Sequence, residues 1–286
     1  MTRPPLFVEL CAGTAALSIR LQHARKACPP IARMGAKTGY ADAILAVLGL
    51  TPGQGAERYL WCEPNDGMRL MLSAYSQPDV LREAADIIRS WAREDRRELW
   101  ERLRAQGPPT EYNADALAQL VILRAWSRGR ESMSWRSQWS LFKARSHPTL
   151  KSVVRALYGA SGREWPLVDV ETGALDPIDL PPGTICYIDP PYEKTTGYAH
   201  KLPRSEVIVL ARKWAAAGAL VCISEQVAIP ELVADGWHAV NITTTRVGPS
   251  RDNFSRQKNE YLTLNRPPAW VLNEIGRAVQ QECRDR

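Results

Sequence analysis

Six short apolar runs, separated by segments of a different period, constrain what this chain can fold into more than any other feature. They fall at residues 6–11, 59–63, 185–189, 220–224, 238–243 and 261–264, and most are continuously apolar rather than alternating. A continuous run is what a strand covered on both faces requires. Helical patterns over 15–27, 66–75 and 205–217 separate several of them. This alternation predicts an α/β fold, a largely parallel sheet with helices on both faces. Ligands of such sheets bind beyond the carboxyl ends of the strands. Gly13 and Asp189 both stand at such ends, so both are expected at one crevice.

Between Leu81 and Trp165 the alternation stops. Residues 82–106 read as one long charged helix closed by Gly107-Pro108-Pro109, and 113–126 as an amphipathic helix carrying Leu117, Leu120, Val121 and Leu123. The stretch beyond residue 126 is basic, rich in Ser and Trp, and weakly periodic. The reading is a sheet domain over 1–80 and 166–270, an inserted, mostly helical module over 81–165, and a peripheral tail over 271–286. The net charge of +6 permits an anionic partner, and its distribution says more. From Arg124 to Arg163 the chain carries Arg128, Arg130, Arg136, Lys143, Arg145, Lys151 and Arg155 against the single acid Glu131, with Trp126, Trp135 and Trp139 interleaved. Such a stretch is either a solvated helical face with its tryptophans packed inside, or a surface that tracks a phosphate backbone.

No apolar run approaches a membrane span. Residues 1–5 lead straight into the first strand-like run, so no signal peptide is expected, and a cytoplasmic location is. The six cysteines include no Cys-x-x-Cys pair. Cys11, Cys62, Cys186 and Cys222 lie in or beside apolar runs, where cysteine behaves as a small hydrophobe. Neither a disulfide framework nor a metal site is expected from them.

The chemistry concentrates at Asp189-Pro190-Pro191-Tyr192, directly after the apolar run at 185–188. Each proline lacks an N–H and fixes its own φ, and the residue before each is held extended. A carboxylate, rigid carbonyl acceptors and an aromatic ring together suit a planar group bearing an amine. A plain proline turn is the alternative. The first run ends Glu9-Leu10-Cys11-Ala12-Gly13-Thr14, a strand, a glycine turn and a helix start. Gly13 permits close backbone approach, the helix start offers unpaired amides, and Thr14 is a candidate cap. Many such turns bind nothing. The second run, however, ends in Glu63, a carboxylate placed to accept the hydroxyl hydrogens of a ribose.

These segments resemble S-adenosylmethionine-dependent DNA amino-methyltransferases, closest to the adenine methylases of the Dam type. The likeness lies in Val8 to Thr14, in Cys62-Glu63-Pro64-Asn65-Asp66 through Tyr75, in Tyr187 to Tyr192 with Thr196 and Tyr198 beyond, and in Asn259 to Asn265. The first motif departs from the family, which has an aromatic and a second glycine where Cys11 and Ala15 stand. The resemblance implies a Rossmann-like class I methyltransferase sheet and S-adenosylmethionine as cofactor, held by Glu9, Cys11, Ala12, Gly13, Thr14, Glu63 and Asp189. It implies catalysis by Asp189, Pro190, Pro191 and Tyr192, the last stacking on a flipped base. DNA contacts are expected from the basic stretch, at Arg124, Arg128, Arg130, Arg136, Lys143 and Arg145, and the resemblance adds Tyr198. Arg33 to Tyr40 resembles the family's Trp-x-Gly-Gly-Lys segment, which precedes the first strand in the family but comes after it here. Either Gly35 and Lys37 approach the cofactor in a locally permuted order, or this is an ordinary helix start. The expected reaction is methylation of the 6-amino group of adenine in DNA. Action on the cytosine 4-amino group, on RNA or on a protein glutamine, and a nucleic-acid-binding protein without activity, are the alternatives.

Overall fold

A computed structural model describes residues 3–25, 30, 37–107, 109, 111–126, 148–192, 202–242 and 260–270. Seven strands form one sheet: β1 (Phe7–Leu10), β2 (Arg58–Cys62), β3 (Leu167–Glu171), β4 (Ile185–Ile188), β5 (Leu220–Glu225), β6 (His238–Asn241) and β7 (Tyr261–Leu264). Their order is β3-β2-β1-β4-β5-β7-β6. The pairs among β1 to β5 are parallel, while β7 runs antiparallel to both β5 and β6. With helices flanking it, this is the Rossmann-like α/β sheet that the alternation of runs predicts. Every residue of β1 and β4 is buried, which is why those runs are apolar apart from the single acid Glu9. One strand has no counterpart among the six apolar runs. β3 lies at the sheet edge with Leu167 exposed and Asp169 paired to Arg58 at 2.6 Å, and a half-exposed edge strand carries no apolar run.

The helices are α1 (Ala16–Gln22), α2 (Ala41–Val47), α3 (Asp66–Tyr75), α4 (Pro78–Ser90), α5 (Arg96–Ala105), α6 (Ala114–Trp126), α7 (Leu150–Ser161), α8 (Arg204–Ala216) and α9 (Pro230–Ala234). The single helix expected over 82–106 is two. A 3-10 turn at Trp91–Arg93 ends the first, and Asp95 caps α5 by accepting from the amides of Arg97 and Glu98. α6 is not amphipathic but buried almost all round, packed among α3, α4 and α5. Arg124 therefore does not face a nucleic acid: it is 2% exposed in the last turn of α6, inside the protein. Trp126 is also core, its indole nitrogen donating to the carbonyl of Pro148 at 2.9 Å.

Two cores cover the sheet. On one face Phe7, Tyr59, Trp61 and Tyr187 join a continuous cluster that includes Leu17 of α1, Leu81 of α4, Leu99 of α5, Leu117 of α6 and Leu157 of α7. On the other, Val8, Leu10, Cys186 and Ile188 pack against Val207, Ala211 and Trp214 of α8. The helices of the 81–165 segment thus share their core with the sheet. Cys62, Cys186 and Cys222 are buried strand residues, and burial pushes the Cys62 thiol up to about 12. Among the described residues, no helix is long and apolar enough to cross a membrane.

Candidate active site at the β1–β4 switch point

The strand order reverses between β1 and β4: from β1 the chain passes outward to β2 and β3, then returns to β4 on the other side. A reversal of this kind splays the connections apart and opens a crevice at the carboxyl ends of the two strands. The turn leaving β1 is unusual in backbone. Cys11, Gly13 and Ala15 have φ of 62°, 55° and 49°, all in the left-handed region that favours glycine. The turn is tied to the end of β2, because the Ala12 amide donates to the carbonyl of Cys62 at 2.9 Å. Glu63, 2% exposed, completes the tie: one carboxylate oxygen accepts from the Gly13 amide at 2.8 Å and the other from the Asn65 amide at 3.0 Å.

Thr14 does not cap α1, contrary to the expectation from sequence. The cap residue is Ala15, in left-handed conformation and with no side-chain hydrogen bond. Glu9 acts in its place from β1, accepting from the Ser18 amide at 2.7 Å and from the Ser18 hydroxyl. That hydroxyl in turn accepts from the Trp61 indole at 2.8 Å. A carboxylate at a helix N-terminus satisfies an amide that has no intrahelical partner. Burial nevertheless pushes Glu9 up to about 7, against the lowering effect of the Ser18 hydrogen bonds and with a further push from the Asp189 charge. Glu9 thus supports the turn from behind. Thr14, 3% exposed, keeps a hydroxyl with no partner among the described residues. A buried hydroxyl without a partner, beside a left-handed turn joined to Glu63, fits a bound polar molecule such as a nucleoside cofactor.

Across the crevice Asp189 comes directly after β4, its amide donating to the carbonyl of Leu10 at 3.2 Å. Lys37, in a 3-10 turn between α1 and α2, donates to Asp189 Oδ1 at 2.6 Å and stands 3.7 Å from Glu260 Oε1. Its ammonium is also 4.7 Å from the centre of the Tyr192 ring. The Tyr192 hydroxyl donates to Glu260 Oε1 at 2.5 Å and lies 3.2 Å from Ser224 Oγ, which itself donates to Glu260 Oε1 at 2.6 Å. Burial first, then the charges of Asp189 and Glu260, raise the Tyr192 phenol, so it stays protonated and can donate to the carboxylate. Lysine, two acids, a serine and a tyrosine from separate chain segments thus form one connected cluster.

The arrangement brings together Asp189, Pro190, Pro191, Tyr192 and Lys37, and places Gly13, Thr14 and Glu63 at the neighbouring strand ends. Gly35, Arg128, Arg130, Arg136, Lys143, Arg145 and Tyr198 lie outside the described residues. Ser224 and Glu260 belong to the site although the sequence assigns neither a role: Ser224 ends an apolar run, and Glu260 falls in the Asn259 to Asn265 segment, which reads only as a late strand. The one signal for Ser224 is a polar residue ending an apolar run beside β4, in register one position past the Ile188–Ile223 pair. Glu260 stands just before β7, and the start of an antiparallel strand lies at the same sheet edge as the carboxyl ends of its parallel neighbours.

No family model matches the chain, and no curated protein matches it in sequence. Among solved structures it is similar to the rRNA methyltransferase aviRa from Streptomyces viridochromogenes, at 12% identity and a TM-score of 0.28, over 92% of this chain and 77% of that one. A similarity so distant bears on neither substrate nor activity.

Proposed function

We propose that this chain is an S-adenosylmethionine-dependent methyltransferase that modifies the 6-amino group of adenine in DNA. One observation carries the reading. Asp189-Pro190-Pro191-Tyr192 stands at the carboxyl end of β4, at the switch point, beside the Gly13 turn and its Glu63 tie. A carboxylate and rigid carbonyls for an amine, next to a turn suited to a nucleoside, are the two halves of a methyl-transfer site.

The cofactor supplies a methyl group on a sulfonium. Gly13, Thr14 and Glu63 are the residues to hold it, and the chemistry that this chain itself contributes lies across the crevice. An adenine amine is a weak nucleophile because its lone pair is delocalised into the ring. Asp189 and the Pro190 carbonyl accept hydrogen bonds from its two hydrogens, drawing the nitrogen toward tetrahedral geometry and aiming its lone pair. As the N–C bond forms and the C–S bond breaks, the nitrogen becomes positive, and the Asp189 carboxylate stabilises that charge and takes the surplus proton. Orientation of this kind is worth several kcal/mol, on the order of 7–11 in favourable cases. Lys37 offsets the cost of keeping Asp189 ionised in a half-buried position. The amine is out of reach inside a duplex, so the base must be flipped out, with Tyr192 as its stacking platform. The basic residues of 124–163 other than Arg124, including the exposed Lys151 and Arg155 on α7, are the proposed phosphate contacts.

The test is transfer of labelled methyl from S-adenosylmethionine to unmethylated DNA, with digestion to nucleosides. Label in 6-methyladenine, and its loss in Asp189→Ala with the fold intact by circular dichroism, is the expected result. Undiminished transfer by Asp189→Ala would sink the assignment. Label only in 4-methylcytosine, or only when RNA replaces DNA, would move the same chemistry to another target.

A further inference from the structure

Glu260 has no part in the chemistry just described, yet it accepts from two hydroxyls of the Asp189 cluster. It is 5% exposed, and its Oε1 takes hydrogen bonds from Tyr192 and Ser224 with the Lys37 ammonium 3.7 Å away. A buried carboxylate is costly unless it is fully partnered. Three partners converging on one oxygen make this one a fixed point of the fold.

The placement of the protons shows what that fixed point does. Ser224 has a single hydroxyl proton and two carboxylates within reach, Glu260 at 2.6 Å and Asp189 at 3.5 Å. The shorter contact takes it, since hydrogen bonds of this type are strongest near about 2.7 Å. The Tyr192 proton goes the same way. Glu260 thus draws both hydroxyl protons to itself, and the Ser224 proton is kept off Asp189. It also holds the phenol end of a ring whose main chain alone is restrained by Pro190 and Pro191. A ring already fixed loses no rotamer freedom when a base stacks on it.

We infer that Glu260 is a positioning residue, which acts through the Tyr192 hydroxyl to hold the ring in its stacking orientation and draws the Ser224 proton away from Asp189. The inference rests on the methyl-transfer reading above. It goes beyond that reading by assigning a working role to a residue at the leading end of β7, outside both the Asp-Pro-Pro-Tyr segment and the cofactor turn.

A double-mutant cycle tests it, with Glu260→Gln and Tyr192→Phe made singly and together in the full chain. Glu260→Gln keeps the shape and an acceptor oxygen but removes the charge. Two quantities are read: denaturant stability, and kcat for methyl transfer to DNA with the KM for cofactor measured alongside. Glu260→Gln alone is expected to lower kcat by about tenfold, the worth of a charge-assisted hydrogen bond, and to leave the cofactor KM nearly unchanged. In the Tyr192→Phe background the same change is expected to lower kcat little further, because the hydroxyl through which Glu260 acts is already gone. Full kcat in Glu260→Gln, or an equal loss in both backgrounds, overturns the inference while leaving the proposed function standing. So does a coupling seen in stability alone, which marks the hydrogen bond as structural. If the wild-type chain transfers no methyl to any nucleic acid, the proposed function and the positioning role both fall. Should Glu260→Gln fail to fold, Ser224→Ala, which removes the other hydroxyl on Glu260, carries the same cycle against Tyr192→Phe with the same expected non-additivity.

Discussion

At the scale of the residue, Glu9 makes the stability of this protein depend on pH near neutrality. It is an acid inside the sheet's own core, and burial lifts it from 4.5 to about 7. Between those values the folded chain keeps a proton that the unfolded chain has released. The contribution of this group is therefore complete below about pH 4.5 and is lost as pH rises through about 7. Linkage puts the loss at no more than about 3 kcal/mol. Denaturant unfolding measured from about pH 5 to about pH 8 should give a more negative slope of stability with pH in the wild-type chain than in Glu9→Gln, while His23, lowered by burial to about 4, adds the same opposite slope to both. Equal slopes would mean that another group is responsible. The residue scale also shows what a motif departure is worth. The family's first motif carries a second glycine where this chain has Ala15, yet Ala15 adopts the left-handed φ that a glycine would supply.

At the scale of the element, Ser18 joins three pieces of secondary structure. It sits in the first turn of α1, donates to Glu9 of β1 and accepts from Trp61 of β2. Ser18→Ala deprives a buried indole nitrogen of its acceptor and a buried carboxylate of a donor. The expected cost is about 1–3 kcal/mol, seen as a lower denaturation midpoint at unchanged m-value. A change within a few tenths of a kcal/mol would show that water takes over both roles. How legible each element is in the sequence depends on where it lies. β1, β4 and β5 are covered on both faces, so their composition announces them. β3 at the edge does not, and neither does the break between α4 and α5, where charged residues on both sides hide the capping Asp95. α6 reads as amphipathic because its Gln119 and Arg124 look like a solvent face. Gln119 instead donates inward to the carbonyls of Leu103 and Gly107.

At the scale of the whole molecule, the segment over 81–165 is bound into the sheet. Leu81, Leu99, Leu117 and Leu157 belong to the same cluster as Phe7, Tyr59 and Trp61. A segment with its own core survives excision from its host, and its host survives its removal; one that shares a core allows neither. Deletion of 81–165 is therefore expected to leave a chain without a cooperative transition, and the intact protein should unfold in one step by both near- and far-ultraviolet circular dichroism. Two resolved transitions would show that the segment folds by itself. The shared core also bears on the proposed function. Of the proposed phosphate contacts, Lys151 and Arg155 stand on α7, whose Val153 and Leu157 belong to the sheet's core, so under that reading they would be held at a fixed distance from Asp189.

The sequence by itself determined the buried strands of the sheet and the rigid Asp-Pro-Pro-Tyr segment after β4, since both are written in short local patterns. Continuous apolar runs report burial on two faces, and Asp189-Pro190-Pro191-Tyr192 carries its own rigidity in its two prolines. Only the tertiary structure decided how the acids divide their labour. Glu9, Glu63, Asp189 and Glu260 are the same kind of group on paper, and each stands at or near a strand end. One caps a helix, one ties two turns, one accepts from a lysine and one accepts from the tyrosine. Those roles are set by which donors come within about 3 Å of each carboxylate. The donors, Ser18, Gly13, Lys37 and Tyr192, arrive from segments that only the folded strand order brings together.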